Sequence, residues 1–370
     1  MTTGQRFLVR RDDLAQTHLQ PFDAGAPPAP GRIRCRIAHF AFTANNITYA
    51  VFGESMRYWQ FFPADDGWGC IPVWGFAEVE ASACEGVAVG QRLYGYWPMA
   101  THVELQPGAL GSEGFSDGSA HRADLPPIYN RYQRVPSDAG LQREGQTALL
   151  RPLFATAWLI ADFLQQHDDF AARTLLLSSA SSKTALATAF CLRQRSGLQP
   201  TLVGATSPAR RGFVAGLGLF EETIAYDAVA TIDAAVPTLY IDFAGDIDFR
   251  RAVHTHWRER LVYSCAVGAT HRAAFDERAA GKDLPGPKPQ FFFAPTQMQQ
   301  RAAPPPQGLG RATLMQRIDS AWAAFAQRAC GGTAPWLIVE QRMGKDAMRA
   351  AYLDTLHGRA DAQRGLLLSF

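Results

Sequence analysis

The chain has 370 residues, 47% of them hydrophobic and 19% charged, with a formal net charge of +2. That length exceeds one typical domain and predicts two cores, while so slight a charge argues against nucleic acid or an anionic membrane as partner. No uninterrupted apolar run approaches the roughly 18 residues of a spanning helix, and the polar start MTTGQRFLVRRDD is no signal peptide, so the sequence reads as cytoplasmic. The six cysteines (Cys35, Cys70, Cys84, Cys191, Cys265 and Cys330) are scattered without a C-x-x-C. That spacing argues against both a clustered zinc site and a disulfide framework.

Residues 1–31 read as a strand at Arg6–Arg10, then a polar lead and the turn-rich PFDAGAPPAPG. From Arg32 to Phe42, Ile33, Cys35 and Ile37 alternate with Arg32, Arg34 and Arg36, which predicts a half-buried antiparallel strand. TANNITYAVFG follows at the end of that strand, with amide and hydroxyl groups beside an aromatic. Gly53–Trp74 is crowded with Tyr58, Trp59, Phe61, Phe62, Trp68 and Trp74 among turn residues. Further short strands are expected at Phe76–Val79 and Val87–Tyr96, giving a compact β domain over residues 1–143, a partly open barrel. Pro107–Pro136 reads as loop.

At Glu144 the pattern changes. GQTALLRPLFATAWLIADFLQQ carries apolar residues at helical spacing and predicts a long helix. Beyond it, strands near Leu175–Leu177, Thr201–Ala205, ETIAY, TLYIDFAGD and LVYSCAVGA alternate with helices near Arg211–Leu219 and Arg250–Arg260. That alternation predicts a doubly wound parallel sheet over residues 144–330. A helix at Thr313–Cys330 closes this region. Residues 331–370 read as a separate closing segment, with the strand PWLIVEQRM, a helix near Lys345–Leu356 and the strand RGLLLSF.

The stretch Leu175–Phe190, LLLSSASSKTALATAF, is the main functional candidate. A buried strand, a tight turn of small residues and a helix start are the usual seat of a pyrophosphate, because unpaired backbone N–H groups and the helix dipole both favour an anion. In a G-x-x-G-x-x-G frame the positions are Ser179, Ser182 and Ala185, so small size survives without glycine's conformational range. Ser179, Ser181, Ser182, Lys183 and Thr184 are therefore candidate phosphate ligands, with helix capping by serine as the alternative. After the second strand no acid is available for ribose hydroxyls. Thr206, Ser207, Arg210 and Arg211 instead suit a 2′-phosphate, which favours NADPH over NADH; a solvated helix start is the alternative for the arginines. His254 and His256 diverge on a helix and have no third ligand, so no metal site is assigned.

The succession of β barrel, long helix, βαβ nucleotide fold and C-terminal return resembles the medium-chain dehydrogenase/reductases, most closely their zinc-independent, quinone-oxidoreductase-like members. TANNITYAVFG is similar to a family segment with an asparagine and then an acid, whose places Asn45 and Thr48 take. IPVWGFAEV and VGQRLYG resemble barrel turns, Gln91 replacing an acid, and YIDFAG resembles the strand whose aspartate and glycine, here Asp242 and Gly245, precede the nicotinamide. RGLLLSF resembles the closing strand. SASSKTA, with NNITYA and FFAP, looks like a branch with no assigned reaction. The position of the catalytic-zinc cysteine falls in TANN without a cysteine, and the structural-zinc lobe is absent.

The resemblance implies a GroES-like β domain, a Rossmann-type domain, NADPH as cofactor, a small-molecule substrate and a homodimer paired through its cofactor sheets. In that frame Asn45, Asn46, Thr48 and Tyr49 face the nicotinamide. Tyr49 is the candidate proton donor to a carbonyl or enolate oxygen, with Asn45 or Thr48 orienting it. A hydrogen-bonded turn is the alternative for Asn46. The expected activity is NADPH-dependent reduction of a conjugated or quinone-like carbonyl compound. A non-redox lyase or decarboxylase on the same scaffold, and a non-catalytic nucleotide-binding protein, remain open alternatives.

Overall fold

The computed structural model describes residues 3–136, 140–197, 199–267, 284–331 and 335–370; the last two residues of LVYSCAVGA lie outside these. The chain forms two compact units, Met1–Leu149 with Leu337–Phe370, and Leu150–Trp336. The division falls inside a helix, where no change of composition marks it.

The first unit begins with an antiparallel hairpin, β1 (Thr3–Arg10) and β2 (Thr17–Asp23), so the polar lead is itself a strand. β3 (Ile33–Phe42) keeps the alternation expected of it: Ile33, Cys35 and Ile37 are buried, while Arg34 and Arg36 reach Glu80 and Glu78 across the pair. TANNITYAVFG turns out to form a helix, α1 (Ala44–Val51). The Thr43 N–H donates to Asn46 Oδ1 at 2.8 Å, satisfying a backbone donor at the helix start. β4 (Trp68–Gly69) pairs with β1 to give a three-stranded sheet.

β5 (Pro72–Ser82), β6 (Arg92–Pro98), β7 (His102–Leu105), β8 (Pro107–Gly111), β9 (Gly114–Asp117) and β10 (Arg131–Arg134) follow. The last three correct the reading of Pro107–Pro136 as loop. Their order comes from distant contacts: Tyr132 stacks on Phe115 at 5.5 Å, and Arg122 pairs with Asp117 at 3.1 Å in the interior. Neither contact leaves a local period. α2 (Leu141–Gln166) has the length and hydropathy of a membrane span, but more than half of its most apolar window is buried inside the protein. In its first turn Glu144 is clamped by Arg92 through two hydrogen bonds of 2.6 Å, and His39 Nε2 lies 2.8 Å away.

The second unit is built on β11 (Thr174–Leu177), in which Leu175, Leu176 and Leu177 are all fully buried. It continues through α3 (Lys183–Arg193), β12 (Thr201–Thr206), α4 (Pro208–Gly216), β13 (Glu222–Ala225), β14 (Thr238–Asp242), α5 (Ile247–Trp257) and β15 (Leu261–Ala266). Next come β16 (Gln290–Phe291), α6 (Ala294–Ala302) and α7 (Arg311–Cys330). All six strands are parallel, in the order β13-β12-β11-β14-β15-β16. That is the 3-2-1-4-5-6 order of a doubly wound sheet, whose switch point lies between β11 and β14.

The chain re-enters the first unit as β17 (Ile338–Met343), α8 (Lys345–Leu356) and β18 (Arg364–Ser369), which extend the large sheet beside β3. Tyr352 of α8 packs on Phe7 and Phe42 and donates its hydroxyl to Leu14 O at 2.6 Å.

Candidate functional site

In a doubly wound sheet the crevice beyond the strand ends at the switch point is where ligands bind, because the chain departs in opposite directions there. In this unit that place is the turn Ser178–Ser182. Ser178 Oγ donates to Asp242 Oδ1 at 2.9 Å and accepts the N–H groups of Phe243 at 2.9 Å and Ala244 at 3.1 Å. The loop after β11 is thereby tied to the loop after β14. Asp242 is fully used: Oδ1 also accepts the Gly245 N–H at 2.9 Å, and Oδ2 faces Arg250 Nε and Nη2, both at 2.8 Å. Its carboxylate orders the two loops, and Gly245, at φ 64°, has the backbone that this bend requires.

Ser179 sits at φ 48°, left-handed without being glycine, and its N–H donates to Tyr226 Oη at 3.2 Å. Ser182 caps α3, accepting the Ala185 N–H at 3.3 Å. Lys183 and Thr184 form the first residues of that helix and are partly buried. Ser181 is buried, and Thr206 Oγ1 (3.3 Å) and Arg210 Nη1 (3.5 Å) both reach its hydroxyl. Ser207 stands at the N-cap of α4 without a side-chain cap bond, and Arg211 Nε is turned onto Thr223 O at 2.9 Å. The fold thus gathers Ser181, Thr206 and Arg210, while Arg211 is spent on the Thr223 carbonyl. Close packing holds the turn to β12, since a Cβ on Gly204 would come within 2.9 Å of Ala180 Cβ.

These donors suit phosphate: serine and threonine hydroxyls, an ammonium, a guanidinium and the N-terminus of an eleven-residue helix. The Ser179 N–H, which a glycine turn would offer directly, is taken by Tyr226. Ser178, Tyr226 and Arg250 escaped the sequence reading, because their roles depend on partners 47 to 66 residues away or on a helix turn facing back to the strand.

In the first unit, Tyr49 of α1 is buried among aromatic rings, 4.6 Å from Tyr58 and 5.7 Å from Tyr96 between centroids. Burial pushes its phenol above the ordinary value, opposed by the nearby polar groups of Trp74, Asn45, Tyr96 and Tyr129. Asn45 lies one helical turn before Tyr49 on the same face, which is why it reaches the hydroxyl. Thr48 Oγ1 instead donates to Ala44 O at 3.4 Å, and Asn46 is buried with its Nδ2 on Pro72 O at 3.0 Å, a structural place. Tyr96 and Tyr129 were missed as neighbours of Tyr49, although the alternation in LYGYW puts Tyr94 and Tyr96 on one sheet face. His254 and His256 are engaged with Pro285 O and Ser264, and with Ile232 O, respectively.

A largely antiparallel β unit joined to a 3-2-1-4-5-6 parallel sheet is the fold of the medium-chain dehydrogenase/reductases, and solved structures of that kind match the whole chain. One is the CurK enoyl reductase, at 12% identity over 99% of both chains with a TM-score of 0.58. Another is CurA from Vibrio vulnificus in complex with NADPH, at 12% identity over 98% of both chains and 0.61. A third is the quinone oxidoreductase from Coxiella burnetii, at 12% identity over 99% of both chains and 0.57. Within that fold the chain belongs to the family described as protein of unknown function (DUF2855), whose model matches residues 40–361. No curated protein matches it.

Proposed function

We propose that this protein is a zinc-independent, NADPH-dependent reductase of a conjugated or quinone-like carbonyl compound. The observation that carries the reading is the turn at the switch point, where Ser181, Thr206 and Arg210 meet beside the N-terminus of α3. NADPH, when bound, supplies the hydride. Ser179, Ser182, Lys183 and Thr184 are the residues assigned to its pyrophosphate, and Arg210 with Thr206 and Ser207 to its 2′-phosphate. Tyr49, a phenol that burial makes harder still to ionise, is assigned the proton transfer to the substrate oxygen, oriented by Asn45.

The test titrates NADPH and NADH into wild-type protein and Arg210→Ala, following nucleotide fluorescence, and then measures NADPH oxidation across a panel of quinones and enones. NADPH is expected to bind at least tenfold more tightly than NADH, with Arg210→Ala erasing most of that preference. Equal affinity for the two nucleotides, or no binding at millimolar concentration, would refute the reading. One observation favours a second reading, a non-redox enzyme that binds an acyl or carboxylate substrate at this turn: Tyr226 takes the Ser179 N–H and leaves one backbone donor fewer for a pyrophosphate. Turnover without nicotinamide that disappears in Lys183→Ala would establish that alternative.

A further inference from the structure

Four phenols and an indole converge in the first unit, and not all of their donors are matched. Trp74 lies 5.1 Å from Tyr96 and 6.1 Å from Tyr129 between ring centroids, and Tyr49 lies 6.4 Å from Tyr129. Tyr58 and Tyr129 satisfy each other through a hydroxyl pair at 3.3 Å. Two of the remaining three find no such settlement. Trp74 Nε1 and Tyr96 Oη are buried without a partner at hydrogen-bond geometry, although both lie close enough to the Tyr49 hydroxyl to favour its ionised form.

Tyr96 is wholly buried, whereas Trp74 and Asn45 keep some exposure at the border of the cluster. An indole N–H can only donate, and no phenol oxygen of the cluster accepts it at hydrogen-bond geometry. Folded proteins seldom bury two unpaired donors side by side unless something else receives them.

We propose that Tyr49, Tyr96 and Trp74, backed by the Tyr58–Tyr129 pair, form a donor cage for one anionic or strongly polarised oxygen on a flat conjugated ring. The identity of that ligand as substrate rests on the reductase reading; the cage itself needs no cofactor. In the reduction, hydride adds to a carbon of the conjugated system and the displaced electron pair moves onto the carbonyl oxygen. Tyr49 gives its proton to that oxygen and keeps the O–H electron pair as a phenolate, to which Tyr96 and Trp74 then donate. Solvent restores the Tyr49 proton. Aromatic rings beside donors without a matching carboxylate favour a quinone or cyclic enone over a simple alcohol.

The probe is 4-nitrophenol, a flat ring whose phenolate absorbs in the visible. It is titrated into the full chain without nucleotide, at a pH just below its own pKa. Saturable binding with the bound probe in its phenolate form is expected, weakened at least tenfold in Tyr96→Phe and in Trp74→Phe. Because the Tyr96 hydroxyl has no partner at hydrogen-bond geometry, Tyr96→Phe is expected to melt at or above the wild-type temperature; a structural hydroxyl would lower it. That variant decides alone if Trp74→Phe does not fold. No binding, a bound probe that stays neutral, or affinity unchanged in Tyr96→Phe would each overturn the cage. With no nicotinamide in the assay, such a result leaves NADPH binding to be judged separately.

Discussion

Replacing Glu144 by glutamine tests how the first unit is held together. Glu144 is buried, bound twice by Arg92 at 2.6 Å and once approached by His39 at 2.8 Å. Burial alone would raise its pKa, but the bonds from Arg92 and His39 win and lower it from 4.5 to about 2. A carboxylate whose pKa falls that far on folding contributes about 3 kcal/mol at neutral pH. The sign follows from the depression: the contribution is whole above the ordinary carboxylate pKa and is lost as pH falls through about 2. Glu144→Gln should therefore be less stable by about 2–3 kcal/mol at pH 7, with Arg92 left facing a neutral amide. The gap should shrink to about half by about pH 3 as the wild-type carboxyl gives up its advantage. Urea unfolding read by tryptophan fluorescence suits the measurement, since Trp59, Trp68, Trp74 and Trp97 all lie in the first unit. Equal midpoints at pH 7, or a gap that stays constant from pH 7 to pH 3, would refute the argument.

Three further outcomes are expected. Gly204→Ala places a Cβ 2.9 Å from Ala180 Cβ and 3.0 Å from the Phe220 ring. It should cost about 1–3 kcal/mol in thermal unfolding, and Ala180→Gly in the same chain should recover part of it. Ser178→Ala removes the acceptor of the Phe243 N–H and one donor to Asp242, so stability should fall by about 1–2 kcal/mol and amide exchange at residues 243–245 should accelerate; unchanged exchange would show that the serine does not join the two loops. Light scattering on the purified chain should give the mass of a homodimer, and a monomer at micromolar concentration would end that expectation.

Much of the architecture was legible because burial follows local periodicity. Alternating Ile33, Cys35 and Ile37 marked β3, the unbroken leucines marked β11 as covered on both faces, and α7 followed its helical pattern to Cys330. α1 was missed because Asn, Thr and β-branched residues weaken helix propensity, and the Thr43–Asn46 cap and packing at Ile47 and Tyr49 override it. β8, β9 and β10 were missed because Gly and Pro dominate the stretch, and Tyr132 on Phe115 with Arg122 on Asp117 supply what propensity lacks.

For the site, the sequence by itself determined the chemical inventory: small hydroxylated residues and a lysine between a buried strand and a helix, arginines after the next strand, and a tyrosine beside asparagines. Only the tertiary structure decided how these are spent. It committed Asp242 to Ser178 and Arg250, turned Arg211 away from Ser181 while bringing Arg210 to it, and closed Tyr226 over the Ser179 N–H. It also brought Tyr96 and Tyr129 to Tyr49 from strands and turns far along the chain. The physical reason is that periodicity records which face of an element is buried, whereas the partner of a donor is set by sheet order and register, and those depend on pairings between residues tens of positions apart.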